Sequence, residues 1–557
     1  MNIVGIGGSV HDFSACVLRD GKLIVAIEEE RLSRRKHHPV RGLSRTELGL
    51  ECVEYCLDAA ELERTDVDLV VGNDLLHAGV AREAGLEPKH MFGHHLSHAA
   101  SVYFTTCPSE CPILVVDGFG SIRNARAETI SYFLGSGADV YLLSQRSGRV
   151  MLKSPMRPLS WQNLDLVEDS IGYFYSIVCE EIGLAEFAEG SMMALAAFGD
   201  DRYRRVLCGY VNVFPFLFRY EDACSLRSLI RREMSAQADE EKKFEASAAF
   251  AHAAQQIVED ALVACARDLL SRTGGKSLAV SGGVFLNCVA NRKIEEACDL
   301  ENLYIFGACG DAGTAVGSAY LAYVGSADRP TVERDVKGSM YAGRSYPQEM
   351  IRTALASTPG IAYKSVDDPV SVAAEELSSG SIVAWFQGRS EFGPRALGNR
   401  SFLADPSSVS RGKRLSRIVK KREWYRPLAP AILETRLGEV VEGARTSYNM
   451  TTSAPISAPW SGRMTAALHV DGSCRYQSVA RANNERFFDL ISRFAALTGV
   501  PALLNTSFNI DCPIVETPVH AVDTFVASSA DVLLIDDFVA RKQECSGNAS
   551  RLCESRR

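Results

Sequence analysis

Two histidines four residues apart, His94 and His98, are the first residues of this chain whose types and spacing could do chemistry. Positions i and i+4 of a helix share one face, so both imidazoles could meet a single metal ion. Asp117 follows the apolar segment 113–116 and would be delivered at the end of a strand. Two histidines and a strand-end carboxylate can form a metal site with open positions, which binds and polarises a substrate. The alternative is a surface histidine cluster without a metal.

A second carboxylate, Asp311, precedes a helix of small residues in the run GDAGTAVG at 310–317. An aspartate in this position often caps the N-terminus of the helix. Together with His94, His98 and Asp117, it could instead be a fourth metal ligand. The sequence leaves both interpretations open.

A further histidine, His11, is followed by Asp12 in the turn of the first predicted hairpin unit. A histidine there can serve as general base on a hydroxyl or amine of a substrate. The alternative is a solvated turn histidine, without a catalytic role. We keep His11 and Asp12 as candidate catalytic residues.

Two glycines, Gly282 and Gly283, separate a strand predicted at 277–281 from a helix predicted at 287–297, which starts at Asn287. Glycine allows close backbone approach, and a helix N-terminus favours an anion. The segment could therefore bind a phosphate of a cofactor. An ordinary strand-to-helix turn is the alternative.

Basic and polar side chains recur beyond residue 390, between apolar segments. Arginine can bind phosphate oxygens through two hydrogen bonds, and lysine acts as a point charge. Several such cations converging on one cleft would form a site for a polyphosphate or phosphoanhydride, whereas solvated surface charge is the alternative. The candidate cofactor-binding residues of this region are Arg395, Arg400, Lys420, Arg475, Asn505 and Ser507.

Length and composition limit the class of protein. A chain of 557 residues is expected to form two or three domains. The net charge of −9 argues against nucleic acid or an anionic membrane as the main partner. The 16 cysteines lack disulfide-scaffold or zinc spacing. No signal peptide or membrane-spanning apolar run is recognisable, so we expect a reduced, cytoplasmic protein.

The elements that must position these residues follow a repeated pattern. A strand, a turn and a hairpin occur twice, which predicts a duplicated α/β domain with a nucleotide or small substrate in its cleft. A helix is predicted at 45–60, and 170–270 is predicted to be mainly helical. Residues 325–345 lack periodicity and mark the boundary to a region of alternating strands and helices, and 544–557 is expected to be a frayed tail. The predicted strands of the two units are 2–7, 15–18, 23–27, 113–116, 128–134 and 140–143.

These motifs resemble the O-carbamoyltransferases of natural-product biosynthesis and nodulation, a group that includes the tobramycin, cephamycin, novobiocin and geldanamycin enzymes. The resemblance covers nearly the whole chain, and its most specific runs are GPRALGNRS at 393–401 and NTSFN at 505–509. It implies a domain at 1–335 similar to the actin/sugar-kinase-like fold of the tRNA threonylcarbamoyl transferases. It also implies a domain at 345–543 similar to the small α/β threonylcarbamoyl-adenylate synthases.

The resemblance implies an ATP-dependent enzyme of antibiotic or related biosynthesis. The C-terminal domain would convert carbamoyl phosphate and ATP to carbamoyl-adenylate, and the N-terminal domain would transfer the carbamoyl group to a small-molecule alcohol or amine. His11 matches an essential histidine of the family. An iron-type divalent metal, Fe(II) or another, would be held by His94, His98, Asp117 and Asp311. The residues matching those expected around carbamoyl phosphate and adenylate are Arg395, Lys420, Arg475 and Ser507.

The chain departs from the family pattern at Ser191 and Ala194, where lysine and glycine are usual. These departures motivate an alternative function, a catalytically inactive nucleotide-binding sensor of the same fold. Another alternative is a tRNA threonylcarbamoyl-type modifier, against which the acidic balance counts. We therefore expect a small-molecule acceptor with no nucleic-acid or membrane partner. The oligomeric state is left open, a homodimer included.

Overall fold

The computed structural model describes residues 1–9, 11–37, 51–76, 86–154, 156, 163–220, 223–326, 330–332, 334, 340–420 and 423–543. We refer to residues 1–326 as the N-terminal part and to residues 340–543 as the C-terminal part. The predicted tail at 544–557 and the first residues of the helix predicted at 45–60 lie outside the described residues.

The first unit of the N-terminal part is built on a five-stranded sheet. Its elements are β1 (Asn2–Gly7), β2 (Ser14–Arg19), β3 (Lys22–Glu28), α1 (Glu29–Ser33), α2 (Glu51–Ala59), β4 (Leu69–Asn73), β5 (His90–Phe92) and α3 (His94–Thr106). The strand order is β3-β2-β1-β4-β5, with β1 antiparallel to β2 and parallel to β4. The predicted hairpin turn is confirmed, with Asp20 and Gly21 at φ 50° and 81°.

The second unit repeats this topology. Its strands are β6 (Cys111–Val116), β7 (Ile122–Arg123), β8 (Arg126–Ser136), β9 (Asp139–Leu152), β10 (Leu164–Val167), β11 (Val211–Phe214), β12 (Leu217–Tyr220), β13 (Ser277–Ser281) and β14 (Asn302–Ile305). The main order is β10-β9-β8-β6-β13-β14, with the central β6 antiparallel to β8 and parallel to β13. Both sheets therefore have an antiparallel hairpin on one side of a central strand and parallel strands on the other, which confirms the predicted duplication.

Helices follow the strands of the second unit. They are α4 (Ile171–Glu181), α5 (Glu189–Ala196), α6 (Arg204–Cys208), α7 (Ala223–Ser235), α8 (Glu240–Thr273), α9 (Cys288–Ala297) and α10 (Thr314–Ser326). The predicted helical character of 170–270 is confirmed, except that β11 and β12 form a hairpin within it. None of the helices in the described ranges has the length and apolar character needed to cross a membrane.

Two helices pack between the duplicated units. Helix α3 lies against β6, β8 and β13, helix α10 lies against β1, β2 and β4, and the two helices pack on each other. Their close approach requires small residues, because a Cβ at Gly317 would lie 1.8 Å from the Ser97 carbonyl oxygen. A Cβ at Gly5 would lie 2.2 Å from the Ala315 carbonyl oxygen. This packing brings the start of α3 next to the turn that precedes α10.

The C-terminal part contains an eight-stranded mixed sheet of order β15-β24-β23-β16-β17-β22-β18-β21. The strands of the whole C-terminal part are β15 (Ile361–Ser365), β16 (Val383–Phe386), β17 (Arg400–Ala404), β18 (Ala429–Leu433), β19 (Ser453–Pro455), β20 (Ser473–Arg475), β21 (Gln477–Val479), β22 (Ala502–Ser507), β23 (Val532–Ile535) and β24 (Phe538–Lys542). Its helices are α11 (Gln348–Ala356), α12 (Pro369–Ser379), α13 (Val409–Lys413), α14 (Leu437–Val440), α15 (Ala458–Ser461), α16 (Glu485–Thr498) and α17 (Pro518–Ala527). The predicted alternation of strands and helices, and with it the α/β fold class, is confirmed.

Candidate active site

The two histidines of α3 face two carboxylates. The Nε2 atoms of His94 and His98 are 3.1 Å apart. The Oδ2 atom of Asp117 lies 3.4 and 3.2 Å from these nitrogens, and the Oδ1 atom of Asp311 lies 3.5 and 3.6 Å from them. Asp117 follows β6, and Asp311 lies in a single 3₁₀ turn before α10. Packing of α3 on both elements therefore gathers four separate donor atoms around one point.

The spacing of these atoms suits a bound cation. Ligand atoms about 2.1 Å from one ion, at tetrahedral or octahedral angles, lie about 3.0 to 3.4 Å apart. The observed separations are 3.1 to 3.6 Å. Two neutral imidazoles and two carboxylates also carry the charge that a divalent cation balances. The donor set therefore fits Fe(II), and equally Mn(II) or Zn(II).

Neighbouring side chains orient both imidazoles. The Nδ1 atom of His94 lies 3.2 Å from Oδ1 of Asn73, and Nδ1 of His98 lies 3.2 Å from Oγ of Ser281. Asn73 is held in turn, because its Nδ2 donates to the carbonyl of Gly8 and to the hydroxyl of Thr314, both at 2.8 Å. Hydrogen bonds at Nδ1 leave each Nε2 lone pair directed at the carboxylates, as in metal-binding histidines.

The sequence reasoning missed Asn73 and Ser281. A signal was present for Asn73, because it ends the apolar strand β4 much as Asp117 follows the apolar strand β6. Ser281 is the last residue of β13, directly before Gly282 and Gly283. Polar residues at strand ends that meet at one sheet edge are candidates for such orienting contacts.

The carboxylates strongly favour positive charge at this point. Burial lowers the pKa of His94, but the hydrogen bonds and charges of Asp117 and Asp311 outweigh burial and raise that pKa to about 10. Burial likewise disfavours the Asp311 carboxylate, yet the histidines hold its pKa well below the usual value. The electrostatics of the group therefore agree with a cation site.

His11 and Asp12 belong to a second polar group. Nδ1 of His11 lies 2.9 Å from Oδ2 of Asp12, whose Oδ1 lies 2.9 Å from Nδ1 of His37. The Phe187 ring contacts both imidazoles. Burial lowers the pKa of His11, but the charge and hydrogen bond of Asp12 outweigh burial and raise that pKa to about 9. Asp12 thus orients His11 and stabilises its protonated form, and His37 is a member of the group that the sequence did not indicate.

The predicted glycine pair lies beside His94, His98, Asp117 and Asp311, which we call the metal-type residues. Gly282 has φ 109°, and a Cβ there would lie 2.1 Å from the Val116 carbonyl oxygen. The N–H of Gly283 donates to Oδ1 of Asp117 over 3.1 Å. The glycines therefore allow the backbone to approach the end of β6 and to orient the Asp117 carboxylate.

The segment 282–288 leads from Asp117 to a cavity. Asn287 caps α9, because its Oδ1 accepts from the N–H of Ala290 over 3.0 Å, and its Nδ2 donates to Gln255. The next residue, Cys288, lines a cavity of about 250 Å³ between the two parts of the chain. Asn287 thus contacts Gln255, a lining residue of this cavity, and fixes the start of α9 beside it.

Two arginines line this cavity together with the carboxylates of Glu259 and Asp471, and a third arginine, Arg395, lies close enough for its charge to interact with those of the other two. Arg426 and Arg475 line it, and Nε of Arg475 is buried without a hydrogen-bond partner among the described residues. Nη2 of Arg395 reaches only the Leu286 carbonyl oxygen, at 3.5 Å. Burial and then the charges of Arg475 and Arg426 lower the pKa of Arg395 to about 9. In the part of the chain that the structure describes, neither Arg395 nor Arg475 forms an ion pair, so these two arginines favour an anion beside the cavity.

Two other predicted cations, Arg400 and Lys420, hold loops through hydrogen bonds to backbone carbonyls. Arg400 is fully buried, donates to the carbonyls of Gln387 and Asn399 over 2.7 and 3.1 Å, and stacks on Phe386. Nζ of Lys420 donates to the Ser507 carbonyl over 2.7 Å. Both side chains stabilise the turns beside Arg395 and beyond β22.

Asn505 and Ser507, the two predicted polar residues of β22, also stabilise neighbouring loops. Nδ2 of Asn505 donates to the Ala396 carbonyl over 3.2 Å and to Gln477 over 3.0 Å. Oγ of Ser507 donates to Oδ1 of Asn509 over 2.7 Å. Their contacts connect the NTSFN run to the loop that carries Arg395.

Two family models match most of the chain. Residues 2–77 and 75–320 match the family model for the carbamoyltransferase N-terminus, and residues 374–542 match that for the carbamoyltransferase C-terminus. The chain belongs to the carbamoyltransferase family. The resemblance read from the sequence motifs is therefore confirmed, and the protein is an enzyme family member whose chemistry is transfer of a carbamoyl group.

Several curated relatives span most of the chain. Nodulation protein NolNO of Sinorhizobium fredii is 32% identical over 96% of this carbamoyltransferase and 80% of the relative. Nodulation protein NolO of Bradyrhizobium diazoefficiens is 32% identical over 81% and 79%, respectively. Among solved structures, full-length HypF is similar with a TM-score of 0.40 and 15% identity over 59% of this chain and 56% of that chain. That structural similarity is too low to carry an argument about function.

Proposed function

We propose that this carbamoyltransferase is ATP-dependent and works in two steps at two sites. Carbamoyl-adenylate would form from carbamoyl phosphate and ATP in a C-terminal domain, at 345–543, and the carbamoyl group would pass to a hydroxyl or amine of a small acceptor in an N-terminal domain, at 1–335. The observation that carries this proposal is the buried pair Arg395 and Arg475, which has no carboxylate partner among the described residues. Such charges are stabilised by a phosphate-bearing ligand.

The first step requires a phosphate and a pyrophosphate to leave. Water releases inorganic phosphate from carbamoyl phosphate and leaves carbamate, whose oxygen attacks the α-phosphorus of ATP and displaces pyrophosphate. Negative charge accumulates on phosphoryl oxygens throughout. Arg395 and Arg475, with Arg426 beside them, are our candidates for binding these oxygens.

The second step requires a short, enclosed route for the intermediate. A carbamoyl-adenylate reacts readily with water, so exclusion of solvent during transfer protects it. The segment 282–288 supports such a route, because Gly283 contacts Asp117 at one end and Cys288 lines the arginine cavity at the other.

His11 is our candidate for proton transfer in the second step. Its Nδ1 is held by Asp12, so Nε2 of the neutral imidazole is the atom that we assign to removing the proton of the acceptor as its oxygen or nitrogen attacks the carbamoyl carbon and AMP leaves. Burial lowers the pKa of His11, but Asp12 outweighs burial and raises that pKa to about 9, so the neutral form and with it the transfer rate should increase as the pH rises toward that value. Asp12 then stabilises the imidazolium that forms, as in other histidine–carboxylate pairs. When bound at His94, His98, Asp117 and Asp311, a divalent ion such as Fe(II) would supply Lewis-acid polarisation of the carbamoyl group or its phosphate.

The decisive experiment omits the acceptor. The protein is incubated with carbamoyl phosphate, ATP and Fe(II), and pyrophosphate and AMP are measured. We expect both products, because adenylate that is not transferred hydrolyses. ATP binding without either product would overturn the proposal and favour the inactive sensor suggested by Ser191 and Ala194. Mass spectrometry of candidate alcohols and amines, searched for the carbamoyl increment, then identifies the acceptor class.

A further inference from the structure

Side chains at the end of the N-terminal hairpin form hydrogen bonds with one residue of the loop that carries Arg395. Glu28, the last residue of β3, accepts a hydrogen bond at Oε1 from the N–H of Gly393 over 2.6 Å. Arg31 of α1 donates from Nη2 to the carbonyl oxygen of the same glycine over 2.5 Å. Both polar groups of one peptide residue of the C-terminal part are therefore bound by side chains of the N-terminal part.

These two side chains are buried together. Glu28 is 6% exposed and Arg31 is 1% exposed, and their Oε2 and Nε atoms are 3.6 Å apart. Oε2 of Glu28 and both Nε and Nη1 of Arg31 have no hydrogen-bond partner among the described residues. Incompletely satisfied buried charges are poor contributors to stability, and such groups are better explained by the geometry that they impose.

That geometry is transmitted to Arg395 over a short, stiff path. Gly393 has φ 110°, and a Cβ there would lie 2.8 Å from the Gly307 carbonyl oxygen, so only glycine fits at this close contact with the N-terminal part. Pro394 lies between Gly393 and Arg395, and its ring fixes its own φ angle. On the far side of the loop, Oε1 of Glu391 accepts from the N–H groups of Leu397, Asn399 and Arg400.

The same helix also holds a second loop of the C-terminal part. Arg34, directly after α1, donates to the carbonyl oxygens of Pro513 and Ile514 over 2.5 and 2.7 Å. This loop follows β22 and the NTSFN run. The turn from β3 into α1 therefore contacts two loops of the C-terminal part, the loop of Gly393 and the loop of Pro513 and Ile514.

We propose that Glu28 and Arg31 are positioning residues that hold the Arg395 loop, so that anion binding at the arginine cavity depends on the N-terminal hairpin. The anion is of the phosphate class. The inference deepens and rests on the proposed function in its account of the cavity, but its test is designed to be independent of turnover. Glu28 and Arg31 act through Gly393 and do not contact the anion themselves.

The test is binding of inorganic phosphate to the full-length chain, measured by isothermal titration calorimetry. Loss of a hydrogen bond to a charged group corresponds to about a tenfold to hundredfold change in an equilibrium constant. We therefore expect Glu28→Ala and Arg31→Met each to raise the phosphate Kd at least about tenfold. The matched control is Asp58→Ala, which removes a different contact between the two parts, the ion pair with Arg344, and should leave the Kd unchanged.

Two conservative variants separate positioning from charge. Glu28→Gln keeps the reach to Gly393 and loses the charge, whereas Glu28→Asp keeps the charge and loses the reach. Burial raises the pKa of Glu28 to about 7, so the neutral amide is a fair mimic of its protonated form. Positioning predicts weaker phosphate binding for Glu28→Asp than for Glu28→Gln. The opposite order overturns the proposal, even if Glu28→Ala fails to fold.

A double-mutant cycle completes the test. If Glu28 acts only through Arg395, then Glu28→Ala has no further effect on phosphate binding in an Arg395→Ala background. Additive losses in the double variant overturn the proposal. Loss of phosphate binding in the single variants, combined with no pyrophosphate formation by the unmodified enzyme, would instead support the positioning role while rejecting the proposed adenylate chemistry.

Discussion

The metal-type residues and the arginine cavity balance their charges in opposite ways. Asp117 and Asp311 face the nitrogens of His94 and His98 at 3.2 to 3.6 Å, so negative and potentially positive groups alternate around one point. Across the segment 282–288, Arg395 and Arg475 are buried near each other, and burial together with the charges of neighbouring arginines lowers the pKa of both. The first group of residues suits a small cation, whereas the second suits an anion.

The difference shows how each site is held in place. The metal-type side chains are supported by their own attraction and by hydrogen bonds from Asn73 and Ser281. The arginines repel one another, so their loop must be held by other groups, among which Glu28, Arg31 and Glu391 are the clearest. Four substitutions test this contrast.

The largest expected effect is at Arg395. Arg395→Ala removes a charge that no carboxylate of the described residues neutralises, and loss of one such preorganised donor lowers a rate by about 1,000-fold. We expect pyrophosphate release from ATP and carbamoyl phosphate to fall by that factor. Arg493→Ala, which changes an exposed arginine of α16, is the control and should retain the rate. Unchanged pyrophosphate release in Arg395→Ala would place adenylate formation elsewhere.

The next effect concerns metal binding. Asp311→Ala removes a carboxylate from the four-residue group. Loss of a direct ligand should lower Fe(II) affinity by at least about 100-fold, the upper end of the range for loss of a residue that only orients a ligand. Equilibrium dialysis with metal analysis measures this. Pyrophosphate release without acceptor should persist in the variant and in chelator-treated enzyme, because the arginine cavity is separate. Asp523→Ala, at an exposed position of α17, is the control.

A smaller effect is expected at His11. His11→Ala should slow transfer to an acceptor about 100-fold, the lower range for loss of a general base, and leave pyrophosphate release intact. Single-turnover transfer to an acceptor from the mass-spectrometric screen measures the rate. His90→Ala changes an exposed histidine and should behave as the unmodified enzyme. If His11→Ala and Arg395→Ala lose the same step, the two-site assignment is wrong.

The smallest effect is expected at Asn73. Asn73→Ala leaves all four metal-type residues but frees the His94 ring to rotate, so Fe(II) affinity should fall about tenfold. The same dialysis experiment resolves this change from the larger loss in Asp311→Ala. Asn302→Ala, an exposed asparagine on β14, is the matched control. An equal loss in Asn73→Ala and Asp311→Ala would contradict the division into ligands and orienting residues.

The sequence predicted most of the fold where local pattern and final structure agree. The hairpin at Asp20 and the ends of β1 and β13 follow from turn residues and apolar runs, and the i,i+4 spacing of His94 and His98 agrees with the helix that carries them. Other elements depend on distant pairing. Strand β9 extends to Leu152, beyond the predicted 140–143, because β8 and β10 supply its hydrogen-bond partners. The pairing of Asp12 with His37 likewise had no local signal.

The sequence by itself determined the family, through its motif runs, and made His94, His98 and Asp117 candidate metal ligands, because i,i+4 spacing and strand-end position are local properties. It left Asp311 open between a helix cap and a ligand. It could not separate Arg395 and Arg475 from Arg400 and Lys420, since all four are cations in or beside turns. Only the tertiary structure decided that Arg400 and Lys420 donate to backbone carbonyls over 2.7 Å, whereas Arg395 has a contact of 3.5 Å to one carbonyl and Nε of Arg475 has no partner among the described residues. The physical reason is that burial and charge compensation depend on which distant loops meet, and here the hairpin at Glu28 and Arg31 helps to bring them together.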